Sequence, residues 1–280
     1  MMQIVFLQTP KLNSFTSHFI VLAIILACLS SVQAQAPKPS KGPTNAIDQH
    51  VNVLLRDLNS PNPSVATNAI SELRDMKLSS KDSLPALISA LKSQSEFVRL
   101  GVINTIAEFG AEAEPAMPAL VAALADKDSL VREAAILAIM AVGKPSKNSI
   151  SELANLLGDD NKKTRDAAVT ALASFGPESL PALIKSLEGK NLQASKSASE
   201  ALARIGAPAV NQLVAILKNG GIGAENASSA LVAIGKPSVP PLIKLLKDSN
   251  PEVSKKAAEV LKALGAIATP DLIEELRSKN

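Results

Sequence analysis

The sequence predicts an all-α chain, a right-handed α-solenoid or superhelix of about seven helix-turn-helix repeats. Three observations carry that expectation. Glycines recur at Gly110, Gly143, Gly176, Gly206, Gly235 and Gly265, spaced by 33, 33, 30, 29 and 30 residues, and a period of this length marks stacked supersecondary units. The fourth position before each glycine holds Ile106, Ile139, Leu172, Leu202, Leu231 and Leu261, and the eighth holds Val102, Ala135, Ala168, Ala198, Ala227 and Ala257. A large apolar residue one turn after a mostly small one lets a neighbouring helix approach closely, and the glycine supplies the left-handed residue that stops the helix. No stretch alternates in polarity as a half-buried strand would.

In chain order, the first element stands apart from the repeats. Lys11 is the only charge ahead of the apolar block FIVLAIILAC at 19–28, and the first acidic residue is Asp48. The block falls short of the roughly 20 apolar residues that span a bilayer, and SSVQAQA behind it offers small-x-small cleavage sites. Residues 1–34 therefore read as a signal peptide cleaved after Ala34. Cleavage after Ala36 is the alternative, disfavoured by Pro37 beside the scissile bond. Cys28 has a second reading, because ILAC is similar to a bacterial lipobox whose cysteine becomes lipidated, although Leu26 is uncommon at its place. Either reading implies export, to a bacterial periplasm or as a secreted or membrane-anchored chain. Residues 35–46, QAPKPSKGPTNA, carry Pro37, Pro39 and Pro43 and no long apolar side chain, so they read as an extended linker.

The repeats fill 47–280, in units of about 47–80, 81–114, 115–147, 148–179, 180–209, 210–238 and 239–269, with a terminal helix at 270–277. Each unit reads as a helix of about ten residues, a short turn, a helix of about thirteen and a glycine-marked loop. Pro85, Pro118, Pro181, Pro240 and Pro270 stand at the starts of first helices, where a missing N–H costs nothing. The first unit keeps Ala69 and Leu73 but has Lys77 at the glycine position. KNGGIGAEN at 218–226 reads as a flexible turn inside the sixth unit. The charged segments IDQHVNVLLRDL and PDLIEELRSKN are expected to cap the two ends with polar surface.

Composition removes several functions. A net charge of +3 over 280 residues gives no field that argues for nucleic acid, and 46% hydrophobic with 20% charged residues is too apolar for a disordered chain. One Cys and two His leave too few ligands for a Zn, Cu or Fe site of the usual kind. His50, the only His beyond the signal segment, reads as a surface residue. The serines sit at helix starts and turns, where capping explains them, and Asp159 and Asp160 lie together in what reads as a solvated turn. The chain is therefore expected to be non-catalytic and to need no cofactor.

Three residue types recur in register: Pro in the first helix, Asp in the turn and Arg near the start of the second helix. The third unit has Pro118, Asp126 and Arg132, and the fourth has Asp159 and Arg165 with Ser151 for Pro. The second has Pro85 and Arg99 with Ser93 for Asp, and the seventh has Pro240 and Asp248 with Ser254 for Arg. On these residues the chain from about 47 to 277 resembles the HEAT-repeat family, in particular its short bacterial phycobilisome-lyase-like form. The resemblance implies a stack of helix pairs whose second helices line a concave, partner-binding face. It also implies that Asp126, Arg132, Asp159 and Arg165 tie the helices of a unit, or adjacent units, together. Ser195 and Ala224 occupy the Arg place in the fifth and sixth units, so the ladder fails there and that half is expected to be more pliable.

Two kinds of enzyme look like this family. HEAT-like deoxyhypusine hydroxylases need several His-Glu pairs, which this sequence lacks, and bilin lyases act on cytoplasmic partners. An enzyme or enzyme subunit relying on a bound cofactor is the alternative to a scaffold. For the scaffold, the outward positions of the second helices are taken as ten, six and three before the glycine. These rows place Leu100, Asn104, Leu137 and Met140 in the second and third units, with charges toward both ends. An apolar centre with a polar rim suits a protein partner, although the same residues would suit packing between units if the register differed. Phe97, Phe109 and Phe175 read as core-facing, which leaves no aromatic anchor for a tight interface. The expected partner is thus a protein, with no nucleic acid, and with membrane contact only through a lipid or signal anchor.

Overall fold

The computed structural model describes residues 49–50, 53–54, 56–58, 60–75 and 80–278, within a unit that runs from Ile47 to Asn280. Residues 1–34 with Cys28, which the sequence suggests as a signal peptide, and residues 35–46, which it suggests as a linker, lie outside the described residues.

Fourteen α-helices and no strands occur among the described residues. The second helices of the seven units are α1 (Pro63–Asp75), α3 (Glu96–Glu108), α5 (Ser129–Val142), α7 (Lys162–Ser174), α9 (Leu192–Ile205), α11 (Ala224–Ile234) and α13 (Pro251–Leu264). The first helices of units two to seven are α2 (Ser80–Ala90), α4 (Met117–Ala123), α6 (Lys147–Asn155), α8 (Leu180–Leu187), α10 (Val210–Asn219) and α12 (Val239–Leu245), and α14 (Thr269–Arg277) follows. Each second helix packs on the next, and α4 on α6, α6 on α8, α10 on α12 and α12 on α14, which gives the two layers of an α-solenoid.

The apolar columns explain the stack. All six residues of the eighth-before column are fully buried, and the fourth-before column is buried throughout. Alanine at most eighth-before positions lets neighbouring second helices close on one another, and the branched residue a turn later fills the space between layers. Each such Leu or Ile removed from water contributes about 1.5–3 kcal/mol. α5 shows how the ends are set. The carboxylate of Asp128 accepts from the N–H groups of Leu130 and Val131 at the N-cap, and Gly143 ends the helix at φ 72°, ψ 9°.

Gly143 is the left-handed residue the sequence suggests, but other stops differ. Gly206 stands at φ 80°, ψ −135°, and Gly235 at φ 80°, ψ −132°, a region essentially restricted to glycine. At Gly206 a Cβ would meet nothing within 4 Å, so conformation and not space requires the glycine. From these residues the chain enters the short 3₁₀ turns Ala207–Ala209 and Lys236–Ser238, and Gly176–Ser179 forms a similar turn one unit before Gly206. The buried Ser179 hydroxyl donates to the carbonyls of Leu172 and Gly176, and that of Ser238 to Leu231, which satisfies helix-end carbonyls that would otherwise be buried unpaired.

Two expectations are corrected. Pro85 is not at a helix start but inside α2, which begins at Ser80, whereas Pro118, Pro181, Pro240 and Pro270 are each the second residue of their helix. The terminal helix, although it exposes Glu274 and Arg277, is also a less polar cap than its charged segment suggests. Leu272 packs toward the core, but Ile273 and Leu276 are exposed, because α14 has α12 on one side and no described helix on the other.

Candidate protein-docking face

The turn edge that leads into the second helices is held by a zipper of guanidinium groups. Arg99 donates from Nε and Nη2 to both carboxylate oxygens of Asp126, at 2.7 and 2.8 Å, and from Nη1 to the carbonyls of Ser93 and Gln94. Arg132 follows the same plan one unit on with a single carboxylate bond, from Nη2 to Asp159 Oδ1 at 2.8 Å, and with Nη1 to the Asp126 carbonyl at 2.8 Å, while its buried Nε has no partner. Each arginine therefore fastens its own turn through backbone carbonyls and the next unit through a carboxylate 27 residues ahead. The Asp and Arg six apart in one unit meet only through the Asp backbone. Asp159 is correspondingly not solvated; its side chain is largely buried in this pair, whereas Asp160 is exposed.

Electrostatics follow from this geometry. The Asp126 hydrogen bond, opposed by burial and aided by nearby carboxylates, raises the Arg99 guanidinium further above its ordinary value. Burial pushes the Asp126 carboxyl up, but hydrogen bonds from Arg99 and from the Asp128 N–H, with the positive charges of Arg99 and Lys127, hold it below the usual carboxylate range. Asp126, Asp159 and Asp248 each also accept from the N–H two residues on, which closes the turn and points the chain into the following helix.

The arginine ladder ends after Arg165, as Ser195 and Ala224 suggest, but the second half is not left without polar ties. Ser195 donates to the Leu187 carbonyl at 2.6 Å and accepts from Asn226 Nδ2 at 2.7 Å, while Ser199 donates to the Asn226 carbonyl at 2.7 Å. A Cβ on Gly223 would lie 3.0 Å from that same Leu187 carbonyl oxygen, so glycine permits the approach of the sixth unit to the fifth. The hydrogen bond from Lys218, 2.7 Å from Asp248, and one from the Asn250 N–H keep the Asp248 carboxyl below its ordinary value. Within the segment 218–226, residues 220–223 form the turn between α10 and α11, and the rest belongs to the ends of those two helices.

Outward from this edge lies the face of the second helices. Leu137 is 54% exposed on α5 and Asn104 is exposed on α3, whereas Leu100 and Met140 are half-buried and pack partly against the core. The largest correction is Phe97. It is 67% exposed and not core-facing, while Phe109 and Phe175 at helix C-caps do pack against the core. Phe97 is thirteen before its glycine, and the same row places Leu130, 55% exposed, one unit further. Both are second residues of their helices, just before Val98 and Val131, which take the core position and turn the preceding side chain outward. Leu130 and Leu137, seven apart, share one face of α5. Ion pairs flank the apolar centre: Arg74 with Glu108 at 3.0 Å on the α1 side, and Lys162 with Asp166 on the α7 side.

Other features absorb less. A groove of about 730 Å³ between α11 and α13 is lined by Glu225, Ser228, Val232, Lys256, Glu259 and Val260 among others, and the Ser228 hydroxyl is turned back to the Ala224 carbonyl. His50 lies on the surface, with Nε2 2.8 Å from Glu72 Oε1. Among the described residues no three or more His, Cys, Asp or Glu side chains are grouped to hold a metal ion, and no helix is long and apolar enough to cross a membrane.

Helix pairs in two layers, a recurring glycine stop and a turn arginine reaching the next unit define an α-solenoid of short repeats. Residues 51–140 and 150–221 match the family of HEAT repeats, and 239–268 match a further HEAT repeat description, so the chain belongs to the HEAT-repeat family. No curated protein matches it. Among solved structures it is similar to a computationally designed armadillo repeat protein for modular peptide recognition, at 24% identity over 76% of this chain and 99% of that one, TM-score 0.44. An archaeal HEAT-like repeats protein from Thermococcus onnurineus NA1 aligns at 12% identity over 83% and 100%, TM-score 0.44. The complex of CpcE and CpcF of phycocyanin lyase from Nostoc sp. PCC7120 aligns at 19% identity over 84% and 100%, TM-score 0.41.

Proposed function

We propose that this protein is an exported, non-catalytic HEAT-repeat scaffold that binds a protein partner on the second-helix face of units two and three. One observation carries the reading: Phe97, Leu130 and Leu137 present large apolar side chains to solvent on adjacent helices, with ion pairs that involve the helices on either side. Such a patch is costly to leave in water, and an exposed aromatic at its edge supplies an anchor of the kind that dominates interfaces. The Arg99–Asp126 and Arg132–Asp159 pairs fix the spacing of the helices that carry it, so the patch is presented without an ordering cost at each encounter. Export rests on the layout of residues 1–34.

Pull-down from envelope extract with the double variant Leu130→Glu, Leu137→Glu tests the face. Both side chains are exposed, so melting should be unchanged while capture is lost. Retained capture by the folded variant would remove these residues from the site. A stoichiometric metal or chromophore on the purified native protein would instead favour the cofactor-bearing enzyme.

A further inference from the structure

The ladder along the turn edge contains three arginines and two aspartates. Arg99 holds Asp126 and Arg132 holds Asp159. Arg165 is anchored in the same way as the other two, donating from Nη1 to the carbonyls of Asp159 at 2.7 Å and Asp160 at 3.0 Å. The residue that would complete its rung, seventeen before the unit's glycine as Asp126 and Asp159 are, is Gly189. Among the described residues no carboxylate pairs with Arg165, and its Nε and Nη2 have no hydrogen-bond partner and keep contact with solvent.

We propose that Arg165, with the turn Gly189–Asn191, forms a carboxylate-binding site that an acidic side chain or C-terminal carboxylate of the protein partner completes. The chemistry is read from the molecule itself. In the two complete rungs the same guanidinium, held by the same carbonyls, takes a carboxylate at 2.7–2.8 Å. A guanidinium whose orientation is already fixed by its backbone acceptors loses little freedom on pairing, and its remaining donors match a carboxylate fork. Lys163, two before Arg165, and Lys190, next to Gly189 in sequence, are exposed and add positive charge to this segment. Two carboxylates of this chain, Asp160 and Glu188, are also close in sequence; both are exposed and neither is paired with Arg165. The rung lies one unit beyond Leu130 along the same turn edge, so a partner seated on Leu130 and Leu137 can reach it. The site rests on the docking reading for its source of carboxylate, but not for its chemistry.

The test follows arginine Nε–Hε NMR signals of the full chain titrated with sodium acetate against sodium chloride at constant ionic strength, with Arg165→Lys identifying the Arg165 signal. The expected result is a saturable shift of the Arg165 signal that exceeds those of the exposed Arg56 and Arg277. Gly189→Asp should suppress the shift by supplying the carboxylate internally, and should raise the melting temperature. Gly189 is outside the positive-φ glycines, and its Cβ would lie 3.2 Å from the Ser186 carbonyl oxygen, a contact that a small adjustment relieves. Arg165→Gln should weaken partner binding about tenfold while leaving the fold intact. An Arg165 signal that responds no more than Arg56 would overturn the site, as would a response seen only in Glu188→Gln, which would mean that Glu188 already occupies the rung. Loss of the acetate response with partner capture intact refutes this site alone; loss of the docking face appears instead as unchanged capture by the Leu130 and Leu137 variant.

Discussion

Units two to four and units five to seven share one backbone plan but are fastened by different chemistry. In the first group, two largely buried ion pairs join successive units; in the second, the hydroxyls of Ser195 and Ser199 and the amide of Asn226 join units five and six without charge, and units six and seven meet through the Lys218–Asp248 pair, whose lysine is exposed. The difference teaches that the repeat specifies a need and not a residue. Turn carbonyls that face the layer interior must find donors, and either a guanidinium or a hydroxyl on the second helix can provide them. What changes is the consequence of loss. Removing one partner of a buried pair strands a charge, whereas removing a hydroxyl strands at most a neutral acceptor.

The largest expected effect is therefore in the first group. Asp126→Ala leaves Arg99 buried without its counter-charge and should cost about 3 kcal/mol in urea unfolding. Ser195→Ala, its counterpart in the second group, should cost about 1–2 kcal/mol because the Leu187 carbonyl loses a neutral donor. Equal losses at the two sites would erase the distinction between the halves. Gly223→Ala sharpens it from the packing side. A Cβ 3.0 Å from the Leu187 carbonyl oxygen should destabilise by about 1–3 kcal/mol where the second half relies on close approach.

Acid provides a gentler probe. The Asp126 and Asp248 carboxyls lie below their ordinary value in the folded chain, so the unfolded chain binds more protons than the folded one as pH falls. Their stabilisation is complete above the unfolded value of about 4 and is lost as pH drops through the lower folded values. Asp126→Asn should flatten that acid limb in a pH series of thermal melts. The smallest effect expected has the opposite sign. Thr164 is fully buried and its Oγ1 has no hydrogen-bond partner, at a position where Val98 and Val131 stand in the preceding units. Thr164→Val should raise stability by about 1 kcal/mol, since it removes an unpaired hydroxyl at nearly constant volume.

The sequence made the stack legible because the fourth and eighth positions before each glycine answer to one physical demand, burial between layers, and every residue there complies. The proposed docking face is only partly legible. Leu137 and Asn104 follow from the same register, but an aromatic in an apolar protein normally belongs in the core, so sequence alone points Phe97 inward. The row thirteen before each glycine, with Leu130 at the same place, held the signal that both side chains sit on the turn edge. The ladder was legible as residues but not as connections, since spacing within a unit favours a six-residue pairing, whereas the carboxylate lies in the next unit. Ser195 looked like a gap because serine serves so many local roles that its tie to Asn226 shows only in three dimensions. The ψ angles of Gly206 and Gly235 have no sequence signature beyond the glycine itself.

Leu137 and Ser229 occupy the same place, six before the glycine, in the third and sixth units, and both are exposed. A photo-crosslinking residue installed at each position in turn, in the full chain in its native cell, compares the two halves directly. The docking reading predicts a discrete adduct of defined mass from position 137 and none from position 229. An adduct from 229 with none from 137 would place the partner on the other half and contradict it.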